Sequence, residues 1–168
     1  MLDPGPSPPT WLQSAVLPLA DAVSFHTLPY HIHELLVAAV FYQLIQISSP
    51  AISSALFPNT YPNLPARTRL NWDVHVVSLV QSTIINAFAL WVIFTDEERK
   101  SMTAIERVYG YTGACGLVQG LAAGYFLWDL FVCTRHVRIF GIGLWAHAVA
   151  ALVVFSFGFV CASLHLLA

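Results

Sequence analysis

Two side chains that can exchange protons stand inside apolar segments of the chain. Asp129 lies in GYFLWDLFVC, residues 124–133, and His147 lies in the alanine-rich segment GLWAHAVAA, residues 143–151. Only the short connection TRHVRI separates the segments, so we expect an antiparallel helical hairpin with both side chains at a similar depth. A histidine can act as a general base when a carboxylate orients its ring. We therefore predict that Asp129 and His147 point into a helix bundle and lie within about 8 Å of each other or share a water.

Asp129 has a second possible partner in the same hairpin. Arg135 and Arg138 lie in or next to the connection, and an ion pair with either would make the aspartate a structural anchor. A carboxylate at the centre of a membrane-spanning helix costs about 2.5–3.5 kcal/mol, and less near the interface. Asp129 therefore needs a partner, and both pairings stay open at this point.

A polar stripe follows one face of the apolar segment at residues 74–94. Four of its side chains fall within about 80° of one another on a helix. The stripe begins at the same side of the predicted bundle as Asp129 and His147, and polar groups in a membrane normally face a bundle interior or a wet cavity. We therefore predict that six polar residues line a lipid cavity: His75, Ser78, Ser82, Asn86, Asp129 and His147.

The sequence HIHE, residues 31–34, contains metal-ligating residue types at an unsuitable spacing. His31 and His33 are two positions apart, and such side chains diverge on a helix. With Glu34 they stand just before an apolar span, so we predict interfacial anchors rather than metal ligands. The cysteines also match no zinc-binding pattern. These cysteines are Cys115, Cys133 and Cys161. We predict no metal site and no cofactor.

The composition is that of a membrane protein. Of the 168 residues, 57% are hydrophobic and only 10% are charged, and the mean hydropathy is +0.68. Soluble domains carry about 25% charged residues, so most of this surface does not face water. The formal net charge of −2 provides no basic field for nucleic acid.

Four segments have the roughly 20 apolar helical residues that cross a bilayer core of about 30 Å. None alternates as the strands of a membrane barrel do. We predict an all-α polytopic transmembrane bundle with four spans in this chain, at residues 35–56, 74–94, 109–133 and 140–167. Residues 1–34 are then a Pro-rich N-terminal segment that lies partly at the membrane surface, and residues 35–168 are the transmembrane domain.

The four crossings assign the connections to two sides of the membrane. The N-terminus and residues 95–108 lie on one side, called side A, and residues 57–73 and 134–139 lie on the other, called side B. Lys and Arg number four on side B and three on side A. This small difference does not fix the orientation by the positive-inside rule.

Three glycines at four-residue spacing mark one face of the third span: Gly116, Gly120 and Gly124. Small residues at this spacing let another helix approach closely. We therefore predict that the third span is central in the bundle and that this glycine ladder is a packing face. An exposed ladder would instead offer a surface to a membrane-protein partner.

Three segments together resemble the TLC domain, and they are closest to fungal TLC domain-containing proteins of the endoplasmic reticulum. The resemblance covers about residues 67–160. It depends on the order of the signals: a Trp and a Val-Ser pair at the second span, YFLWDL in the third, and a histidine early in the fourth. The segments are RLNWDVHVVSLVQSTIINAFALWVIF, YGYTGACGLVQGLAAGYFLWDL and HVRIFGIGLWAHAVAALVVFSFGF.

The resemblance implies a helical bundle around a lipid-accessible cavity, with more helices than this chain provides. The four spans would then be an incomplete TLC bundle. The family includes ceramide synthases, translocation-associated proteins, cargo receptors and members linked to membrane lipid composition. Acyl transfer of the ceramide-synthase type implies an adjacent pair of histidines, but His147 stands in AHA, and Gln81 occupies a position where many relatives carry a histidine.

Three functions are consistent with the resemblance and the residues. The first is a multi-pass protein of the endoplasmic reticulum that handles or senses membrane lipids and acts in lipid homeostasis without catalysis. The second is a membrane cargo or translocon accessory protein that uses the glycine ladder to bind a partner. The third is a ceramide-synthase-like N-acyltransferase, with His147 as general base and Asp129 orienting it. A buried ladder would favour the first over the second.

Overall fold

The computed structural model describes residues 3–160, and these form seven α-helices and two short 3₁₀ turns with no strand. The turns are Tyr61–Asn63 and Phe157–Phe159. In chain order the helices are α1 Thr10–Ala22, α2 Leu28–Leu56, α3 Ala66–Thr95, α4 Glu97–Ser101, α5 Ala104–Tyr109, α6 Gly113–Arg135 and α7 Val137–Ser156.

Four helical segments are long and apolar enough to cross a membrane: Leu28–Leu56, Ala66–Thr95, Ala104–Arg135 and Val137–Phe159. The predicted fold class, an all-α bundle with four spans, is confirmed. The first span, helix α2, begins seven residues earlier than predicted. Pro29 suits the first turn of this helix, where a missing backbone N–H costs nothing. The predicted end of the fourth span, with Cys161, lies outside the described residues.

The side-A connection between α3 and α6 is held by the carboxylate of Asp96. Asp96 caps α4 by accepting from the backbone N–H of Arg99 at 3.3 Å. It also accepts from the hydroxyl of Thr112, the N-cap of α6, at 2.6 Å. Burial disfavours the charged carboxylate, but favourable interactions that include these hydrogen bonds lower the pKa of Asp96. One buried anion thus ties the end of α3 to the start of α6.

Helix α6 is central among the described spans, as the sequence predicts, because it contacts α2, α3 and α7. Helix α2 packs along it and also contacts α1 and α3. Its side-A half packs Leu28 and Leu35 against Ala123 of α6 and Phe159. Its side-B half packs Ala38 and Tyr42 against residues of α3 and α6, namely Val77, Trp128 and Val132. The core therefore follows the contact between α2 and α6 and is not one central cluster.

Helix α7 packs on α6 and is otherwise exposed, with Ala148 as its one buried residue within the described part of the chain. A break divides the helix at Gly141, whose φ of +83° lies in the region that favours glycine. The surface of α7 is apolar, and Ile142, Leu144 and Val154 are among its exposed side chains. This face is suited to lipid or to another apolar helix.

The glycine ladder of α6 is buried and faces α2. A Cβ added at Gly124 would overlap the carbonyl oxygen of Leu35 and would lie 2.7 Å from the Cβ of Ala38. At Gly120 it would lie 3.2 Å from Oε2 of Glu34, and at Gly116 it would collide with the ring of His31. Glycine is therefore required for α6 to lie this close to α2.

We expect the substitution Gly124→Ala to destabilise the bundle by about 1–3 kcal/mol, because the new methyl group meets backbone atoms that cannot rotate away. The measurement is thermal unfolding of the purified chain in detergent. Gly143→Ala on α7 is the matched control, since its added Cβ has no atom within 4 Å. Equal unfolding temperatures for the two variants would show that the close approach is unimportant.

Candidate functional site

A recess of about 430 Å³ opens on side B, between α2, α3 and the α6–α7 hairpin. Its wall joins two kinds of side chain. The polar members are Gln43, Gln46, Asp73, Arg135 and His136, and the apolar members are Ile47, Phe131 and Val132.

Two helix faces form most of the side-B recess. Gln43, Gln46 and Ile47 are spaced at i, i+3 and i+4, so they share one face of α2. Phe131 occupies the last turns of α6, and Ile47 and Phe131 expose their side chains outwards. The polar floor of the recess is therefore flanked by apolar surface of the kind that faces lipid.

Asp73 is held rigidly at the back of the side-B recess. Its carboxylate is buried and accepts hydrogen bonds from Oγ of Ser49 at 2.7 Å and from the hydroxyl of Tyr61 at 2.9 Å to each oxygen. Burial and the hydrogen bond to Asp73 raise the pKa of Tyr61 to about 12, so Tyr61 keeps its proton at neutral pH. Trp72 extends the network by donating from Nε1 to Oγ of Ser53 at 3.0 Å. The sequence analysis missed Asp73, because its aspartate–tyrosine pairing depends on the 3₁₀ turn.

Two other polar groups of the side-B recess are free to bind a ligand. Oε1 of Gln43 is buried without a hydrogen-bond partner among residues 3–160. Arg135, the last residue of α6, forms no ion pair within the same part of the chain. The recess thus offers a positive charge at its mouth and an unsatisfied acceptor deeper in.

Asp129 and His147, which the sequence analysis paired, lie on the neighbouring helices α6 and α7. Asp129 is half-buried on α6, and Sγ of Cys133 donates to its Oδ1 at 3.8 Å. The side chain of His147 is exposed, and the adjacent Ala148 is the residue of α7 that is buried. Within the described residues no hydrogen bond or ion pair joins Asp129 to His147 or to the arginines of the hairpin. That Asp129 and His147 point into the bundle and lie within about 8 Å of each other stays a prediction.

The polar stripe of α3 hydrogen-bonds mainly to its own helix. His75, Ser82 and Asn86 each bond to a backbone carbonyl of the preceding turn, and His75 and Asn86 are exposed. Ser78 does so as well, by donating to the carbonyl of Val74, and its Oγ also lies 3.0 Å from the hydroxyl of Tyr125 on α6. That these residues line a lipid cavity stays a prediction.

A second polar cluster lies on side A, where the sequence analysis expected interfacial anchors. His31 is fully buried against the glycine ladder rather than exposed at the interface. Its Nδ1 lies 2.7 Å from Oε2 of Glu34 and 3.4 Å from Oδ2 of Asp3, and its Nε2 lies 2.5 Å from the hydroxyl of Tyr111. The i, i+3 spacing of His31 and Glu34 was the available signal; the i, i+2 pair of histidines obscured it.

Comparison with known proteins shows that this sequence matches a protein family. The TLC domain matches residues 71–168. An uncharacterized TLC domain-containing protein of Schizosaccharomyces pombe is 41% identical over 155 residues, covering 92% of this chain and 51% of the relative. Topoisomerase I damage affected protein 4 of Saccharomyces cerevisiae is 29% identical, over 74% of this chain and 43% of its own. TLC domain-containing protein 4 C of Dictyostelium discoideum is 24% identical, over 73% and 44%.

The chain thus spans about half the length of these curated relatives. No solved structure matches it significantly. Four apolar helices of spanning length and the family match together indicate an integral membrane protein. Because the domain match covers more than half of the residues, the chain belongs to the TLC domain family, as its sequence motifs predict.

Proposed function

We propose that this protein binds membrane lipids in the side-B recess and acts in lipid homeostasis, in the membrane of the endoplasmic reticulum. One observation carries the proposal: the recess combines a cationic mouth, amide groups and outward-facing apolar walls. These parts correspond to the phosphate, the polar headgroup and the acyl chains of a phospholipid. The family membership is consistent with this role, because the TLC domain family includes members linked to membrane lipid composition.

The unsatisfied groups of the recess give a physical reason for a lipid ligand. A buried polar atom without a partner costs free energy in an apolar environment, and Oε1 of Gln43 is such an atom within the described residues. A hydroxyl or ammonium group of a lipid headgroup can donate to it. Arg135 can form charge-assisted hydrogen bonds to the lipid phosphate, which are roughly twice as strong as neutral ones.

The two alternative functions have less support. The glycine ladder is buried against α2, which favours a self-contained bundle over a partner-binding face. His147 is exposed and lacks a hydrogen bond from any described residue that would orient its ring as a general base. Lipid binding without acyl transfer is therefore the better-supported function.

Lipid binding is tested by native mass spectrometry of the purified chain, with counting of the phospholipids that remain bound after detergent extraction. We expect Arg135→Gln to retain less phospholipid than the parent, since it removes the charge that meets the phosphate. Gln43→Leu should also reduce retention by removing the acceptor. Arg138→Gln is the matched control, because Arg138 is exposed in the same hairpin but does not line the recess.

Equal retention by Arg135→Gln and Arg138→Gln would rule out the recess as the binding site. Thermal unfolding of each variant is measured in parallel, because a variant that unfolds would lose lipid for a trivial reason.

The role in homeostasis is tested separately in cells that lack the protein. We expect the phospholipid composition of isolated endoplasmic reticulum membranes to change, and the full-length protein to restore it. Restoration by Arg138→Gln but not by Arg135→Gln would tie the effect to the recess. An unchanged composition in cells without the protein would contradict the homeostatic role, even if the recess binds lipid.

A further inference from the structure

We propose that Asp3, His31 and Glu34 bind a divalent transition-metal ion of the zinc type on side A. Each residue offers one ligand atom, and the three atoms all lie within 4.8 Å of one another. Zinc bonds to nitrogen and oxygen of about 2.0–2.2 Å put tetrahedral neighbours roughly 3.3 Å apart. The distances of 2.7 and 3.4 Å from Nδ1 of His31 to Glu34 and Asp3 bracket that separation. One ion can therefore replace the direct contacts with small side-chain movements.

The charge balance of the cluster favours a cation. The side chains of His31, Glu34 and Asp3 are 0%, 5% and 27% exposed, and both carboxylates lie against the ring of His31. No Lys or Arg forms an ion pair with either carboxylate among residues 3–160. A buried carboxylate such as that of Glu34 needs a compensating charge or a metal, and protonation of His31 would balance only one of the two carboxylates. A divalent ion supplies both charges at once.

The second oxygen of Glu34 gives independent support for a ligand. Oε1 is buried and has no hydrogen-bond partner within the described residues. Both ring nitrogens of His33 are likewise buried and unpartnered, and its Nε2 lies 4.0 Å from Oε1 of Glu34. Polar atoms of this kind are seldom left unsatisfied in a folded protein. A bound ion would give the carboxylate of Glu34 the partner that its Oε1 lacks.

The surrounding groups orient the ligands as they do in known metal sites. The hydroxyl of Tyr111 lies at Nε2 of His31; if it accepts the Nε2 proton, the lone pair of Nδ1 is free for the ion. Asp3 is held through its other oxygen, because Oδ1 accepts from the backbone N–H of Gly5 at 2.8 Å. Gly116 leaves the space that the ring of His31 fills.

The cluster is accessible from side A through a cavity of about 610 Å³. Asp3 and Tyr111 belong to its lining, together with Gly5, Tyr30, Glu98 and Thr112. An ion or a water can therefore reach Asp3 and Tyr111, the two neighbours of His31 that line the cavity, without unfolding of the bundle.

The test is a titration of the chelator-treated, tag-free protein in detergent with Zn²⁺, followed by elemental analysis and thermal unfolding. We expect one zinc per chain and a higher unfolding temperature with zinc. Asp3→Asn and His31→Gln should each weaken binding by about tenfold or more and abolish the thermal shift. Co²⁺ in place of Zn²⁺ should give the visible absorption of a four-coordinate ion, and this absorption should be lost in the same variants.

Three controls separate this site from surface binding and from loss of fold. Asp21→Asn makes the same change at an exposed acid of α1, and His75→Gln removes an exposed histidine; both should bind zinc as the parent does. Tyr111→Phe leaves all three ligands in place and should weaken binding about tenfold through the lost contact to His31. Asp3 lies outside the helices, so its variant stays informative if His31→Gln fails to fold. Zinc binding by Asp3→Asn equal to that of Asp21→Asn, or no stoichiometric zinc on the parent, would overturn the proposal.

Discussion

Helices α2 and α6 approach each other closely because α6 presents glycine to α2 at three successive turns, and other features of the bundle depend on this spacing. At Gly124 the backbone of α2 fills the place of a side chain, and at Gly116 the ring of His31 does so. With larger residues the helices would separate, and His31 would lose its buried position. The same spacing brings Tyr42 of α2 against Tyr125 and Trp128 of α6. The close packing of α2 on α6 therefore also determines where polar groups such as His31 lie.

Polar groups are concentrated towards the two ends of the bundle, and the aromatic contacts of α2 and α6 lie between them. On side A, Asp96 joins two helix ends, and His31 and Glu34 face Asp3. On side B, Asp73 gathers hydroxyl groups from α2 and the 3₁₀ turn. This distribution follows from the cost of polar atoms in hydrocarbon, which falls towards the interface. Each end of the bundle can therefore hold a separate polar site.

The sequence predicted the parts of the structure that depend on composition and depth. Hydropathy identified four spans, and glycine spacing identified the ladder that faces α2. It did not predict rotation about a helix axis, and the side chain of His147 is exposed. It also missed contacts across long separations: Asp3 reaches His31 from a proline-rich segment without a regular pattern. Depth is a property of one helix, whereas rotation and distant contacts are set by the packing of several.

Helix α2 contributes residues to both ends, with His31 and Glu34 in the side-A cluster and Gln43 and Gln46 in the side-B recess. His31 and Gln43 are separated by about 18 Å along the axis, and the helix has no proline between Pro29 and Pro50. Such a segment moves as one rigid body. Fixing its side-A end against α6 therefore also fixes one wall of the recess. Occupants of the two ends would be linked thermodynamically, and each would alter the affinity for the other by the same factor.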